Sequence, residues 1–239
     1  MDWATAEPRR FMQITGVPTE QTTAATDALL ALVGLLGAAQ LRGWRKVDRS
    51  KADVWTAMFA SMALAAVLGM VVHGFEFEPA PRASLWKVLN ASLGFTVTFF
   101  AIGAAREIIL RRATRRILVF MIAIGALLFT WMLVTSGKFA LFILYESGAM
   151  LFALGVYSIR LVRGHSAGTG WMFVGVVLTI IAAGFQSLHS VVLMLIWPFN
   201  HNGLFHLIQI LALFCLLRGL NSGFRHSPRD SSFFKSYLR

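Results

Sequence analysis

From Ser166 to Leu217 the chain carries no Asp, Glu, Lys or Arg. This stretch is too long to be one buried helix of a soluble domain, since about 20 apolar residues already cross a bilayer. The rest of the chain is similar, because 57% of its 239 residues are hydrophobic and only 14% are charged. A soluble domain of this size could not hide so much apolar surface from water. We therefore expect an integral membrane protein in contact with membrane lipids.

Seven apolar spans can be read along the sequence, each close to the length that crosses a bilayer. They run over about Thr22–Leu41, Val54–Phe75, Val88–Ala105, Ile117–Thr135, Phe139–Ile159, Trp171–Ile196 and Asn200–Leu220. Their hydrophobicity is continuous and does not alternate, which favours helices over the strands of a barrel. The sequence predicts an all-α bundle of seven transmembrane helices over residues 21–221. A polar segment, residues 1–20, precedes this domain, and a basic tail, residues 222–239, follows it.

The positive charges predict the orientation of the bundle. With seven crossings, 17 of the 22 Lys and Arg residues fall on one side of the membrane. They are Arg42, Arg45, Lys46, Arg49, Lys51, Arg106, Arg111, Arg112, Arg115, Arg116, Arg160, Arg163, Arg218, Arg225, Arg229, Lys235 and Arg239. Cytoplasmic loops of membrane proteins are enriched in Lys and Arg. We expect the N-terminus outside, the C-terminus in the cytoplasm, and the bacterial inner membrane as the location.

Composition also argues against other classes of protein. The net charge is +11, but the basic residues lie in short blocks between apolar spans, where they set topology and meet anionic lipid headgroups. No basic and aromatic module or soluble domain is present to bind nucleic acid. Cys215 is the only cysteine, so an internal disulfide is excluded. Residues 1–20 lack the apolar region of a cleavable signal peptide, and the first span is expected to stay in the protein.

The predicted orientation gathers polar side chains in the outer half of the bundle. They are Asp27, His73, Asn90, Glu146, Gln186, His189, His201, Asn202, His206 and Gln209. Ionisable groups within a span are costly, and they usually face a cavity or one another. The sequence therefore predicts a polar site near the outer membrane surface.

Histidine spacing indicates one chemistry for such a site. His201 and His206 are five residues apart, about 140° around an ideal helix, so they share a face only if His201 lies at the helix cap. With His73 from the second span they would form a three-histidine centre, the usual number of protein ligands in catalytic zinc sites. Zinc-bound water can act as a nucleophile near neutral pH.

Other polar residues would assist this chemistry. Glu146 or Asp27 would orient a metal ligand or act as general base. His189 and Gln186 would position water or substrate, and Asn202 lies four residues before His206, on the same helix face.

The last span carries a family resemblance. The segment Asn200–Gln209, with His201, Asn202 and His206, resembles the last-helix histidine motif of the CREST superfamily. That superfamily includes alkaline ceramidases and the progestin and adipoQ receptors. The resemblance implies seven helices, a zinc site with one histidine on helix two and a His-x-x-x-His pair on helix seven, and hydrolysis of lipid amides such as ceramide. His73 and His206 match in position, and the chain looks like a bacterial branch of the superfamily.

The chain also departs from the superfamily's pattern. Asn202, not a histidine, stands four residues before His206, with His201 one position earlier. Gly69 replaces the helix-two serine, and the acid near the start of helix three has no clear match, with Ser84 close to that place.

Three functions are consistent with these residues. The first is a membrane-embedded, zinc-dependent hydrolase that acts on a lipid or lipid amide. The second is a non-enzymatic receptor or scaffold in which the polar cluster only ties helices together. The third is a transporter of small molecules or protons, since buried acids and histidines also form proton relays.

Overall fold

The computed structural model describes residues 13–108, 119–120, 123–127, 130, 139–164, 167–188 and 190–226. These residues are mostly helical. The long helices are α1 (Pro18–Arg42), α2 (Arg49–Gly74), α3 (Pro79–Ala105), α4 (Phe139–Val162), α5 (Thr169–Gln186) and α6 (His201–Arg225). A short 3₁₀ turn, Gly43–Lys46, joins α1 to α2. Most of the predicted fourth span lies outside the described residues, and residues 119–120, 123–127 and 130 within it are helical.

Local sequence explains where several helices begin. Proline occupies the first turn of α1 and of α3, where its missing N–H costs no hydrogen bond. The Asp48 side chain caps α2 by accepting a hydrogen bond from the Lys51 amide at 3.0 Å. The Asn200 side chain caps α6 by accepting one from the Gly203 amide, also at 3.0 Å. His201 is therefore the first residue of α6.

The predicted sixth span, Trp171–Ile196, is wrong in its second half. The helix ends at Gln186, and two short antiparallel strands follow, β3 (Val192–Met194) and β4 (Pro198–Asn200). Hydrophobicity alone does not distinguish a short apolar strand from the end of an apolar helix. A second strand pair joins β1 (Gln13–Ile14) to β2 (Phe75–Glu76), so the bundle carries two small strand pairs that the all-α prediction did not include.

The six helices form a closed ring. Each packs against the next in chain order, and α6 packs against α1. The helices α1, α3, α4 and α6 begin at the same end of the ring, which we call the cavity end. We call the opposite end the basic end. At the basic end, the Glu107 carboxylate accepts from Lys51 Nζ at 2.6 Å and Arg160 Nη2 at 3.2 Å, which links α2 and α4 to the residues after α3. Because Arg160 lies near the end of α4 and Glu107 lies just after the end of α3, both helices end at the basic end, and they run parallel.

Five of the described helices are long and apolar enough to cross a membrane, namely α1 with its 3₁₀ turn, α2, α3, α5 and α6. Exposed side chains such as Leu32, Leu36 and Phe214 lie on the outside of the ring. Large buried side chains fill the interior, and Trp55 meets Phe100 edge-on at 5.6 Å between centroids. The fold is therefore that of a helical membrane protein with a packed interior.

Small residues allow α1 and α2 to approach closely. A Cβ atom added to Gly34 would lie 2.9 Å from Ala63 Cβ and 3.1 Å from the Ala63 backbone. Small residues at such crossings let transmembrane helices pack backbone against backbone.

We predict that Gly34→Ala lowers the stability of the purified protein by about 1–3 kcal/mol, because the added methyl group forces α1 and α2 apart. The thermal unfolding midpoint in detergent measures this change. Gly155→Ala is the matched control, since Gly155 lies within α4 and no atom of the described residues lies within 4 Å of its added Cβ. The control should keep or raise its midpoint because alanine favours helix. Equal midpoints for the two variants would contradict close α1–α2 packing.

Candidate functional site

A cavity of about 500 Å³ lies among the six helices at the cavity end. Its polar lining comes from Asp27, His73, Asn90, Glu146, Ser147, Gln186, Ser187, His201, Asn202 and His206. Apolar side chains form most of the remaining wall, among them Leu30, Met62, Trp86, Leu93, Ile180 and Phe205. No Lys or Arg occurs among the described residues that line it. The predicted convergence of polar residues at one end of the bundle is thus present in the structure.

One buried polar contact of the cavity joins α1 to α6. The His206 ring lies between two groups of α1, with Nε2 3.4 Å from Asp27 Oδ1 and Nδ1 3.0 Å from Thr26 Oγ1. All three residues are buried. Asp27 Oδ2 has no hydrogen-bond partner among the described residues. Because buried polar atoms are nearly always hydrogen-bonded, this oxygen is available to a molecule in the cavity.

Gly69 makes room for the Asp27 carboxylate. A Cβ atom added to Gly69 would lie 2.6 Å from Asp27 Oδ2 and 2.8 Å from its carboxyl carbon. At this position of helix two, where the superfamily that the sequence resembles carries serine, no side chain fills the space, and the carboxylate from α1 packs against Gly69.

A second carboxylate and imidazole pair stands at the cavity mouth. His73 Nδ1 lies 2.6 Å from Glu20 Oε2, and the other Glu20 oxygen accepts from Asn200 Nδ2 at 3.1 Å. The His73 ring also meets the Trp86 ring edge-on at 5.6 Å. Thr23 Oγ1 donates to Asn200 Oδ1 at 2.9 Å. These contacts tie the first turns of α1 and α6 to the last turn of α2.

The other predicted site residues divide into three groups. Glu146, Gln186, His201 and Asn202 line the cavity. Gln209 is buried but does not line it, since it lies one helical turn beyond His206, toward the basic end. His189 lies outside the described residues.

The histidines do not form the three-histidine centre that their spacing suggested. The side chains that the structure describes include no group of three or more His, Cys, Asp or Glu residues arranged to hold a metal ion. The physical reason is that both ring nitrogens of His206 already face Thr26 and Asp27, and Nδ1 of His73 faces Glu20. His73, His201 and His206 line one cavity, but as arranged they do not fit zinc.

Sequence reasoning missed Glu20 and Thr26. Glu20 precedes the predicted start of the first span at Thr22, so the sequence places it in the polar N-terminal segment. The helix begins two residues before Glu20, at Pro18, which brings this acid into the bundle. Thr26 is uncharged and gives no signal by itself, although it directly precedes the intramembrane acid Asp27.

Together these features define a helical membrane protein with a cavity at one end whose lining is partly polar and mostly apolar. Residues 22–223 match the model of DUF6962, which is described as a family of unknown function, and the chain belongs to this family. Neither the curated proteins nor the solved structures give a match.

We predict that Thr26→Val destabilises the protein by about 1–3 kcal/mol, because it leaves a buried ring nitrogen of His206 without its hydroxyl partner. Thr26→Ser, which keeps the hydroxyl group, should lose much less. The unfolding midpoint of each purified variant measures the difference. If valine and serine are equivalent at this position, the hydroxyl does not hold the imidazole.

Proposed function

We propose that this protein crosses the membrane seven times, with the cavity end outside, and binds an amphiphilic molecule, a lipid or lipid amide, in its cavity. The observation that carries the proposal is a cavity between apolar helices whose wall combines clustered acids and histidines with a larger apolar surface. Such a lining suits a ligand with a polar head and a hydrocarbon tail.

The count of seven crossings is supported by the direction of α3 and α4. Both helices begin at the cavity end, and Arg160 of α4 meets Glu107, just after α3, at the basic end. The chain between them must therefore return from one end to the other, and the apolar residues 117–135 suffice for that crossing. The concentration of Lys and Arg at the basic end supports placing that end in the cytoplasm.

We predict that reporters fused after Arg112 and after Lys138 lie on opposite sides of the membrane. Alkaline phosphatase, which is active only outside the cytoplasm, should be active after Lys138 and inactive after Arg112. Green fluorescent protein fused after Arg239 should fluoresce in the cytoplasm. The same side for Arg112 and Lys138 would rule out the fourth crossing.

The polar wall indicates the kind of head group. The oxygen Oδ2 of Asp27 lacks a hydrogen-bond partner among the described residues, and Glu146 lines the cavity from α4. Carboxylate oxygens accept hydrogen bonds, so a head group that donates them, such as an amide N–H or a hydroxyl, matches this wall. The absence of Lys and Arg from the described lining disfavours a phosphate head group.

We predict that a fluorescent ceramide binds the purified protein and that Asp27→Asn weakens this binding roughly tenfold, because it replaces one carboxyl oxygen with an NH2 group that cannot accept a hydrogen bond from the ligand. Gly69→Ala should weaken it too, since the new methyl group displaces the same carboxylate. Fluorescence anisotropy in detergent measures both affinities.

Glu78→Gln is the matched control for this experiment. Glu78 is an exposed acid at the cavity end, immediately before α3, and it does not line the cavity. Its affinity for the ceramide should equal that of the unmodified protein. Equal affinities for the Asp27, Gly69 and Glu78 variants would overturn the cavity as the binding site.

Hydrolysis of the bound lipid amide is the second candidate function, favoured by the pairing of Asp27 with His206. Asp27 would take a proton from water as the water oxygen bonds to the amide carbon, and this proton would pass to the amide nitrogen as the C–N bond breaks. His206, 3.4 Å from Oδ1, would hold the carboxylate in place. Release of fatty acid from ceramide, lost in Asp27→Asn and kept in Glu78→Gln, tests this candidate.

A separate measurement tests the zinc that the superfamily resemblance implies. Elemental analysis of the purified protein, before and after His206→Ala, shows whether a metal is held through this ring. If zinc is present in stoichiometric amount and is lost in His206→Ala, the side chains around His206 in the zinc-bound protein must differ from the contacts with Thr26 and Asp27 described above.

A further inference from the structure

We propose a second site, at the basic end, that binds the headgroup of an anionic phospholipid. A separate cavity of about 650 Å³ lies there between the start of α5 and the last turns of α6. Its lining includes Trp171, Phe214, Leu217, Arg218, Asn221 and Arg225. This site shares no lining residue with the first cavity and does not depend on what that cavity binds.

Two arginines give this cavity its charge. Arg218 and Arg225 are seven residues apart on α6, so they lie on one face about 10 Å apart along the axis. Neither forms an ion pair with another residue that the structure describes, and the described lining contains no acid. Two guanidinium groups without acidic partners present a fork of donors that matches phosphate oxygens.

The surroundings of Arg218 keep this guanidinium in place. Its carbon lies 4.7 Å from the centroid of the Trp171 ring, which is a cation–π contact. Gly168, the residue just before α5, has a φ of 91° and packs directly against the backbone of Gly219 in α6. This close approach brings Trp171, in the first turn of α5, next to α6.

The apolar part of the lining favours a lipid over a free anion. Phe214 and Leu217 lie on the membrane side of Arg218, and Phe214 is 53% exposed. An acyl chain that descends from a phosphate held by Arg218 would run along these side chains. Basic pockets between transmembrane helices on the cytoplasmic side are known to bind anionic headgroups.

The test is native mass spectrometry of the full chain in detergent, with phosphatidylglycerol and phosphatidylcholine added in turn. Arg218→Gln with Arg225→Gln should lower bound phosphatidylglycerol roughly tenfold, because each cation near the headgroup contributes to the attraction. Binding of phosphatidylcholine should not change. The matched control is Arg42→Gln with Arg49→Gln, which removes two exposed charges from the same end outside this cavity.

Three outcomes would overturn the site. One is unchanged phosphatidylglycerol binding in the Arg218 and Arg225 variant, and another is an equal loss in the control. The third is complete displacement of phosphatidylglycerol by excess inorganic phosphate, which would assign the pocket to a free anion.

The unmodified protein supplies a test that needs no variant to fold. It should retain phosphatidylglycerol in preference to phosphatidylcholine, and equal retention would contradict the proposal. Trp171→Phe should keep this preference because a ring remains beneath Arg218, whereas Trp171→Leu should weaken it.

Discussion

A buried acid on α1 that faces a buried imidazole on α6 is the contact on which the cavity end depends. Placing either group alone among apolar helices would be costly, and the arrangement is tolerable only because Asp27 and His206 meet and Thr26 supplies a further hydrogen bond. This contact closes the ring between its first and last helices. It also fixes the position of Asp27 Oδ2, which has no hydrogen-bond partner among the described residues and can interact with a molecule in the cavity.

Glu20 and His73 at the cavity mouth form a second pair of a carboxylate and an imidazole, which is more exposed than the pair of Asp27 and His206. Glu20 and His73 are partly accessible, and Asn200 connects them to the cap of α6. The first turn of α1 therefore contributes an acid at the mouth, Glu20, and another, Asp27, lies two turns deeper. A ligand head group that enters the cavity would pass the first pair before it reaches the second.

Much of this architecture could be predicted from the sequence, because long apolar helices leave a direct signal in composition. The starts or ends of α1, α4 and α6 lie within a few residues of the predicted spans, and polar residues of the predicted site converge on one cavity. The predicted sixth span extends beyond the helix because Val192–Met194 is as apolar as a helical segment. The partners of His73 and His206 could not be predicted, since spacing along one helix does not reveal which side chains of another helix face it. Glu20 and Thr26 occupy those places, and the histidines contact them.

The early end of α5 has a consequence for the surrounding lipid. With 18 residues the helix is about 27 Å long, slightly less than the roughly 30 Å of a typical hydrocarbon core. The hairpin that follows exposes Met194, Ile196 and Trp197, so apolar side chains continue where the helix stops. The bilayer can accommodate the short helix by thinning locally, or its acyl chains can contact the apolar side chains of the hairpin. On that side of the ring, a strand pair and Trp197 would lie at the interface between the hydrocarbon core and water, where other helices place a helix end.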